Sequence, residues 1–229
     1  MRMAVAKCLA QIWSRAGFQY ETAAAALALI AVVVLSVVAL VDPALADRLT
    51  VENGVVENLQ ILFDGAAALL FGRHLVRNAK GSGRVSPLDL VIVASLIGIV
   101  IGEVDLDRVI FGTKVISTRF FVSPKVAFPW RALAAVVVVG VPMAIAVFAL
   151  ARIRDFWREG WAAIAQPWGR VLAPAVALAG LTQLFERPLG RVPGVPHYFL
   201  EELFELLAAM GFFVAAVARR PSRSLTRSS

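Results

Sequence analysis

The feature that most constrains this chain is a series of long apolar segments separated by short charged ones. The first of them, TAAAALALIAVVVLSVVALV, covers residues 22–41 without one charged side chain. About 20 apolar residues in a helix cross the roughly 30 Å hydrocarbon core of a bilayer. Of the 229 residues, 59% are hydrophobic and 17% are charged, and the mean hydropathy is +0.77. Soluble domains are closer to half apolar, so the sequence predicts a membrane protein.

Six segments have the length and composition of spans. They are residues 22–41, 55–72, 86–102, 131–151, 169–185 and 198–218. No alternating strand pattern is present that would close a barrel, so the spans are predicted to be helices. We therefore expect an all-α, polytopic membrane helical bundle, with one six-span domain over residues 1–218. Residues 219–229 are expected to form a disordered basic cytoplasmic tail.

The basic residues predict the orientation of the bundle. With six spans both termini share one side, and that side carries 15 of the 23 lysines and arginines. The positive-inside rule then places both termini in the cytoplasm. The motif Pro43-Ala-Leu-Ala46 resembles a signal-peptide cleavage site, but the apolar run before it is long, so an uncleaved first span is expected.

Several kinds of site are excluded or disfavoured by residue counts. Cys8 is the only cysteine, so neither an intrachain disulfide nor a cysteine-based metal site is predicted. His74 and His197 are the only histidines, which excludes a three-histidine zinc site. Nucleotide-binding and serine-hydrolase motifs are absent. The net charge of +7 is explained by topology, and no nucleic-acid partner is expected.

Acidic residues show the opposite bias from the basic ones. Eleven of the sixteen lie in predicted outer loops or at the outer ends of spans. On the second span Asn53, Glu57, Gln60 and Asp64 share one helical face, which places Asp64 roughly 14 Å below the outer start of that span. Such a stripe predicts a polar surface that faces the bundle interior.

Three other predicted spans bring a carboxylate to the same outer third of the membrane, namely Glu103, Glu186 and Glu205. A lipid-facing carboxylate costs roughly 2.5–3.5 kcal/mol, so these groups are expected to face one another. The candidate substrate- or cation-binding residues are Glu57, Asp64, Glu103, Glu186 and Glu205. The last span begins with two further acids, Glu201 and Glu202, which the positive end of a helix dipole favours after Pro196.

A structural interpretation of the same acids is also open. Carboxylates would then form ion pairs that hold the outer ends of the helices in register. The supporting cations are Arg108, Arg119, Arg187 and Lys114.

The long outer loop over residues 103–130 is expected to pack as a partial lid on the outer mouth of the bundle, with an ordered interfacial loop as the alternative. Gly180 and Gly211 are candidates for close helix packing, and Pro142 after Gly140 predicts a bend in the fourth span.

Three short motifs are distinctive: Glu52-Asn-Gly-Val-Val-Glu57-Asn-Leu, the Glu103–Arg108 segment with Arg119-Phe-Phe-x-Ser-Pro, and the Glu-Glu-x-x-Glu of the last span. In these motifs the chain resembles a group of uncharacterised bacterial six-helix inner-membrane proteins, and the resemblance implies the bacterial inner membrane as its location. It covers most of the chain and implies the six-span topology without an activity.

Three functions remain open from the sequence. The first is an accessory or interaction protein with an outward-facing, ion-paired carboxylate cluster. The second is binding or transport of a cation, proton or amine substrate through that cluster. The third is a metal-dependent membrane hydrolase, with His197, Glu201 and Glu205 as possible ligands of a bound metal ion. The expected partners are the lipid bilayer and either another membrane protein or further copies of this chain.

Overall fold

The computed structural model describes residues 15–50, 54–104, 120–121, 126–186 and 197–219, and every regular element within these ranges is helical. The prediction of an all-α fold is confirmed for this part of the chain. The helices are α1 Arg15–Val41, α2 Pro43–Leu49, α3 Val55–Ser82, α4 Pro87–Glu103, α5 Phe128–Ala151, α6 Ile153–Ile164, α7 Pro167–Glu186 and α8 His197–Ala218.

Three of the described helices are long and apolar enough to cross a membrane: α1 over Phe18–Val41, α3 and α5. Each of the six predicted spans coincides with a helix, although α3 continues past residue 72 to Ser82. Helices α2 and α6 lie outside the predicted spans. The six-span count and the single domain remain predictions.

Local sequence explains where these helices begin and end. Asp42 caps α2, because its carboxylate accepts the Leu45 N–H at 3.0 Å. Gly83, at φ +64°, follows the last residue of α3 in a conformation that favours glycine. Ser86 then caps α4 by accepting the Asp89 N–H at 3.1 Å. The turn between α3 and α4 is therefore specified by two local signals, Gly83 after α3 and the Ser86 cap of α4.

Helix α5 contains one turn of π-helix at Val136–Gly140, where the Val141 N–H donates to the Val136 carbonyl. This departure from α geometry immediately precedes Pro142, which has no N–H to donate. It lies where the sequence predicts a bend.

The chain divides into two compact units, one of Met1–Leu70 with Gly160–Ser229 and one of Phe71–Glu159. In the first unit α7 and α8 form the most extensively packed pair, and both also contact α1. A Cβ on Gly211 of α8 would lie 2.7 Å from the Ala175 Cβ of α7, so this glycine permits the close approach, as predicted. Among the described residues, a Cβ on Gly180 would meet no atom within 4 Å, so close packing at Gly180 stays a prediction.

The second unit contains the end of α3 together with α4 and α5. Asn78 of α3 donates to the Asp89 carboxylate at 3.4 Å, and Asp89 is 1% exposed. Phe120 is fully buried against Phe121, Ala134 and Val138, while Arg131 donates to the Phe121 carbonyl at 3.1 Å. The rest of the predicted lid, residues 105–119 and 122–125, lies outside the described residues.

Candidate functional site

The polar residues of α3 lie on one buried stripe of that helix. Glu57, Gln60 and Asp64 are only 7%, 2% and 4% exposed, and Ala67 and Phe71 are fully buried. These five positions are separated by three and four residues in turn. This spacing places them on one face of the helix, the face that packs against neighbouring helices. The stripe is polar in its first half and apolar in its second half. The predicted inward direction of the polar face is therefore confirmed for Glu57, Gln60 and Asp64.

Gln60 connects this stripe to α8. Its side-chain amide Nε2 donates to the Glu202 carbonyl at 3.0 Å and to the Glu202 carboxylate Oε2 at 3.2 Å. Both acceptors are oxygens, so the amide nitrogen must face them. The contact joins the first turns of α3 to the first turns of α8, and one acceptor is an ionisable group, which strengthens the hydrogen bond.

An apolar cluster joins the same helices within the first unit. Val56 of α3 packs with Leu203 and Leu206 of α8 and with Leu35 of α1. Phe63 of α3 adds a ring contact to Phe213 of α8, at 5.6 Å between centroids. The Gln60–Glu202 pair is thus placed beside a packed interior, where a low local dielectric increases the value of each satisfied polar contact.

The other acids at the start of α8 are less enclosed. Glu201, Glu202 and Glu205 are all half-buried, and each makes a hydrogen-bonding or electrostatic interaction. The same is true of buried Glu57 and Asp64. Each of these acids of α3 and α8 therefore takes part in an interaction of the protein.

The remaining sequence candidates are distributed differently. Glu103 is the last residue of α4, is half-buried and interacts within the protein, and it belongs to the second unit. Glu186 ends α7 and His197 begins α8, but their side chains are outside the described residues. Also outside them are Asn53, Arg108, Lys114, Arg119 and Arg187. The ion pairs predicted for those cations stay predictions.

The sequence predicts His197, Glu201 and Glu205 as possible ligands of a metal ion. Among the side chains that the structure describes, no group of three or more histidine, cysteine, aspartate and glutamate residues is placed to hold a metal ion. The His197 side chain is not among them, so its part in such a site stays a prediction.

The opposite end of the first unit is basic and aromatic. Arg219 follows α8, and its guanidinium lies 4.4 Å from the centre of the Trp168 ring at the start of α7. Arg170 of α7 forms an ion pair with Glu21 near the start of α1. Arg219 is about 25 Å from Glu202 along α8 at the usual helical rise. Within this unit the acidic and basic ends are separated by nearly the thickness of a hydrocarbon core.

Sequence reasoning assigned Gln60 to the stripe but left it out of the candidate site, and it explained Glu202 by the helix dipole alone. In the structure this pair forms a direct polar contact between α3 and α8. The signal that identifies Gln60 is the three-and-four spacing from Glu57 to Phe71, which places Gln60 at the centre of the polar half. Nothing in the sequence pairs it with Glu202, which lies 142 residues away.

Comparison with known protein families, with curated proteins and with solved structures finds no match for this chain.

Proposed function

We propose that this chain is an accessory or interaction protein of the bacterial inner membrane, with six spans and both termini in the cytoplasm. Its buried acids hold helices together, and its apolar outer faces meet lipid and another membrane protein. The observation that carries the proposal is the Gln60–Glu202 contact, because it uses a carboxylate as an acceptor in a helix–helix connection. Interhelical hydrogen bonds of this kind stabilise membrane bundles, in which lipid supplies little driving force for association.

The distribution of burial supports a role as an interaction protein, which is called the interaction class below. In the apolar windows of α1 and α5, 6% and 0% of the residues are buried, compared with 33% in α3. Valine side chains such as Val37 on α1 and Val139 on α5 are more than half exposed. Large apolar faces of this kind mark contacts with lipid or with other proteins. The separation of the acidic and basic ends along α8 supports the proposed orientation.

Site-specific photocrosslinking tests the interaction class. A photoreactive residue at Val37 or Val139 is expected to give a discrete adduct with one membrane protein, or with a second copy of this chain, in bacterial membranes. The same residue at Ala67, which is fully buried, is the matched control and should give none. Adducts with lipid alone from both exposed positions would contradict the interaction class.

The structural role of the polar contact has its own test. Gln60→Leu should lower the free energy of unfolding by about 1 kcal/mol, the usual size of an interhelical hydrogen bond in a membrane. Gln183→Leu is the matched control, because Gln183 lies exposed on α7. Unfolding in mixed micelles measures both variants. Equal stability of Gln60→Leu and the parent protein would contradict a structural role for this contact.

One observation favours cation, proton or amine binding as a second candidate. Within the described part of the chain, no donor reaches the buried Oε1 atom of Gln60. This acceptor shares its helical face with Glu57 and Asp64, so the polar half of the stripe is rich in acceptors, and protonated amines and cations are complementary to such a surface. In proteoliposomes, Asp64→Asn should abolish any cation or proton flux while folding is retained. Unchanged flux would remove Asp64 from such a pathway.

A further inference from the structure

Helix α6 presents an exposed apolar face beside a candidate span. Its residues Ile153, Trp157, Trp161 and Ile164 follow one helical face, and they are 41%, 59%, 67% and 46% exposed. Two tryptophans on a twelve-residue helix are thus held away from the protein interior. Exposure on this scale has a cost in water, since each indole is a large apolar group.

The opposite side of α6 is fixed to the protein, and this sets the direction of the apolar face. Glu159 accepts hydrogen bonds from the Ser86 hydroxyl at 2.7 Å and from the Leu88 N–H at 3.3 Å, at the start of α4. Ala163, one turn later on the same side, is 4% exposed. The helix therefore cannot rotate to bury its tryptophans without breaking these contacts.

Basic side chains border the apolar face. At 100° per residue, Arg154 and Arg158 lie next to Trp161 on the side away from the buried Ala163. Both are exposed, and the Arg158 ion pair with Asp155 is itself open to solvent, so it is weak. The order around the helix is protein-facing side, exposed apolar face and basic edge.

We propose that α6 lies in the interfacial plane of the bilayer, with Trp157 and Trp161 at the boundary of the acyl chains and Arg154 and Arg158 at anionic lipid headgroups. This inference rests on the proposed membrane insertion of α5. Short helices with aromatic residues on one face and arginines on the other bind such interfaces, and tryptophan concentrates at that depth.

The connection to α5 favours lipid as the occupant of this face. Helix α5 ends at Ala151 and α6 begins at Ile153, so α6 starts where the candidate span ends. Between them Arg152 lies 5.0 Å from the centre of the Phe148 ring, one turn back along α5. The apolar face of α6 consequently begins at the edge of the membrane core that α5 would cross. The arginines supply the charge complementary to anionic headgroups.

Spin labels on the full chain test this placement. Cys8→Ser removes the only cysteine, and single cysteines are then introduced as Trp157→Cys, Trp161→Cys, Ala162→Cys and Val139→Cys. The protein is reconstituted in phosphatidylcholine bilayers with phosphatidylglycerol, and accessibility to oxygen and to a water-soluble nickel complex gives the depth of each label. Labels at 157 and 161 should lie about 5–10 Å inside the headgroup boundary. The matched control at 162, which is exposed beyond the basic edge, should lie in water.

The other possible outcomes contradict different parts of the proposal. A lipid-facing label at 139 with water-exposed labels at 157 and 161 overturns the interfacial placement and leaves the membrane proposal intact. A label at 139 that is accessible to the water-soluble nickel complex overturns the membrane insertion of α5. Labels at 157 and 161 that are shielded from both reagents show a protein partner or a second copy on this face, and they overturn the assignment to lipid.

The basic edge is tested separately. With Arg154→Gln and Arg158→Gln combined, the labels at 157 and 161 should no longer move deeper as phosphatidylglycerol is added. In the protein that keeps both arginines, the labels should move deeper as phosphatidylglycerol is added, and this effect should weaken at high salt. Depths that are independent of lipid charge in the parent protein would overturn the role given to the arginines.

Discussion

Helices α5 and α8 are both long and mainly apolar, yet they differ in burial. Helix α5 carries a single charged side chain, Arg131 in its first turn, and none of its residues is buried. Helix α8 carries three glutamates within five residues after its first turn, and it contributes many of the most buried side chains in the first unit. Helix α5 is therefore the more apolar of the two helices but the less buried.

The difference is informative about the solvent around α5. In water the more apolar helix would be the one withdrawn into the core, because the hydrophobic effect scales with apolar area. In lipid that drive is absent, and helices associate through small residues and polar contacts. Helix α8 has both, with Gly211 and four nearby alanines on its packed surface and the Gln60–Glu202 hydrogen bonds at its start. Helix α5 also has small residues, Gly140 and seven alanines, but none of them is buried in the described structure.

The largest effect is expected from a charge on the exposed face of α5. Val139 is 56% exposed near the middle of this helix. If lipid surrounds it, Val139→Arg should make insertion of α5 less favourable by about 3 kcal/mol. Glycosylation mapping of the inserted fraction measures this change, and Val139→Leu is the control that should insert normally. Normal insertion of the arginine variant would show that this face does not meet lipid, and it would remove the contrast with α8.

A smaller effect is expected where α8 packs against α7. Gly211→Ala places a Cβ 2.7 Å from the Ala175 Cβ, so the helices must separate locally. Overpacking of this kind typically costs 1–3 kcal/mol, and about 2 kcal/mol of unfolding free energy should be lost in mixed micelles. Gly180→Ala is the matched control in α7, since its Cβ would meet no atom within 4 Å among the described residues. It should be neutral or stabilising, because alanine favours a helix. Equal effects at the two glycines would show that α7 and α8 are not closely packed.

The two glycines also show how far the sequence could predict this fold. Hydropathy located helices at all six predicted spans, because the period and length of apolar runs are properties of one segment at a time. The inward polar face of α3 was predictable for the same reason. Which glycine touches a neighbour, and which acid receives the Gln60 amide, depends on how separate helices meet. That information is not local, so Gly180 and Gly211 looked alike, and Glu202 appeared to need only a helix dipole.

Helix α6 was missed for a related reason. Its arginines contributed to the orientation argument, and in that role the segment around them was treated as a short connection between spans. The spacing of Ile153, Trp157, Trp161 and Ile164 was nevertheless present in the sequence. A period of 3.6 residues in a twelve-residue segment is visible only when the segment is considered as a helix in its own right.

The smallest effect is expected at the far end of α8, where Arg219 meets Trp168. The guanidinium lies 4.4 Å from the ring centre, and Trp168 is 5% exposed, so the cation–π contact is shielded from water on one side. Arg219→Gln should lower the free energy of unfolding by about 1 kcal/mol. A double-mutant cycle with Trp168→Leu separates this contact from the other interactions of each residue, and the coupling should account for most of the loss. Arg77→Gln, at an exposed arginine of α3, is the control that should change stability little. A coupling near zero would mean that α8 is held at its basic end by small-residue packing alone, and that its polar connections are concentrated at the end that carries the glutamates.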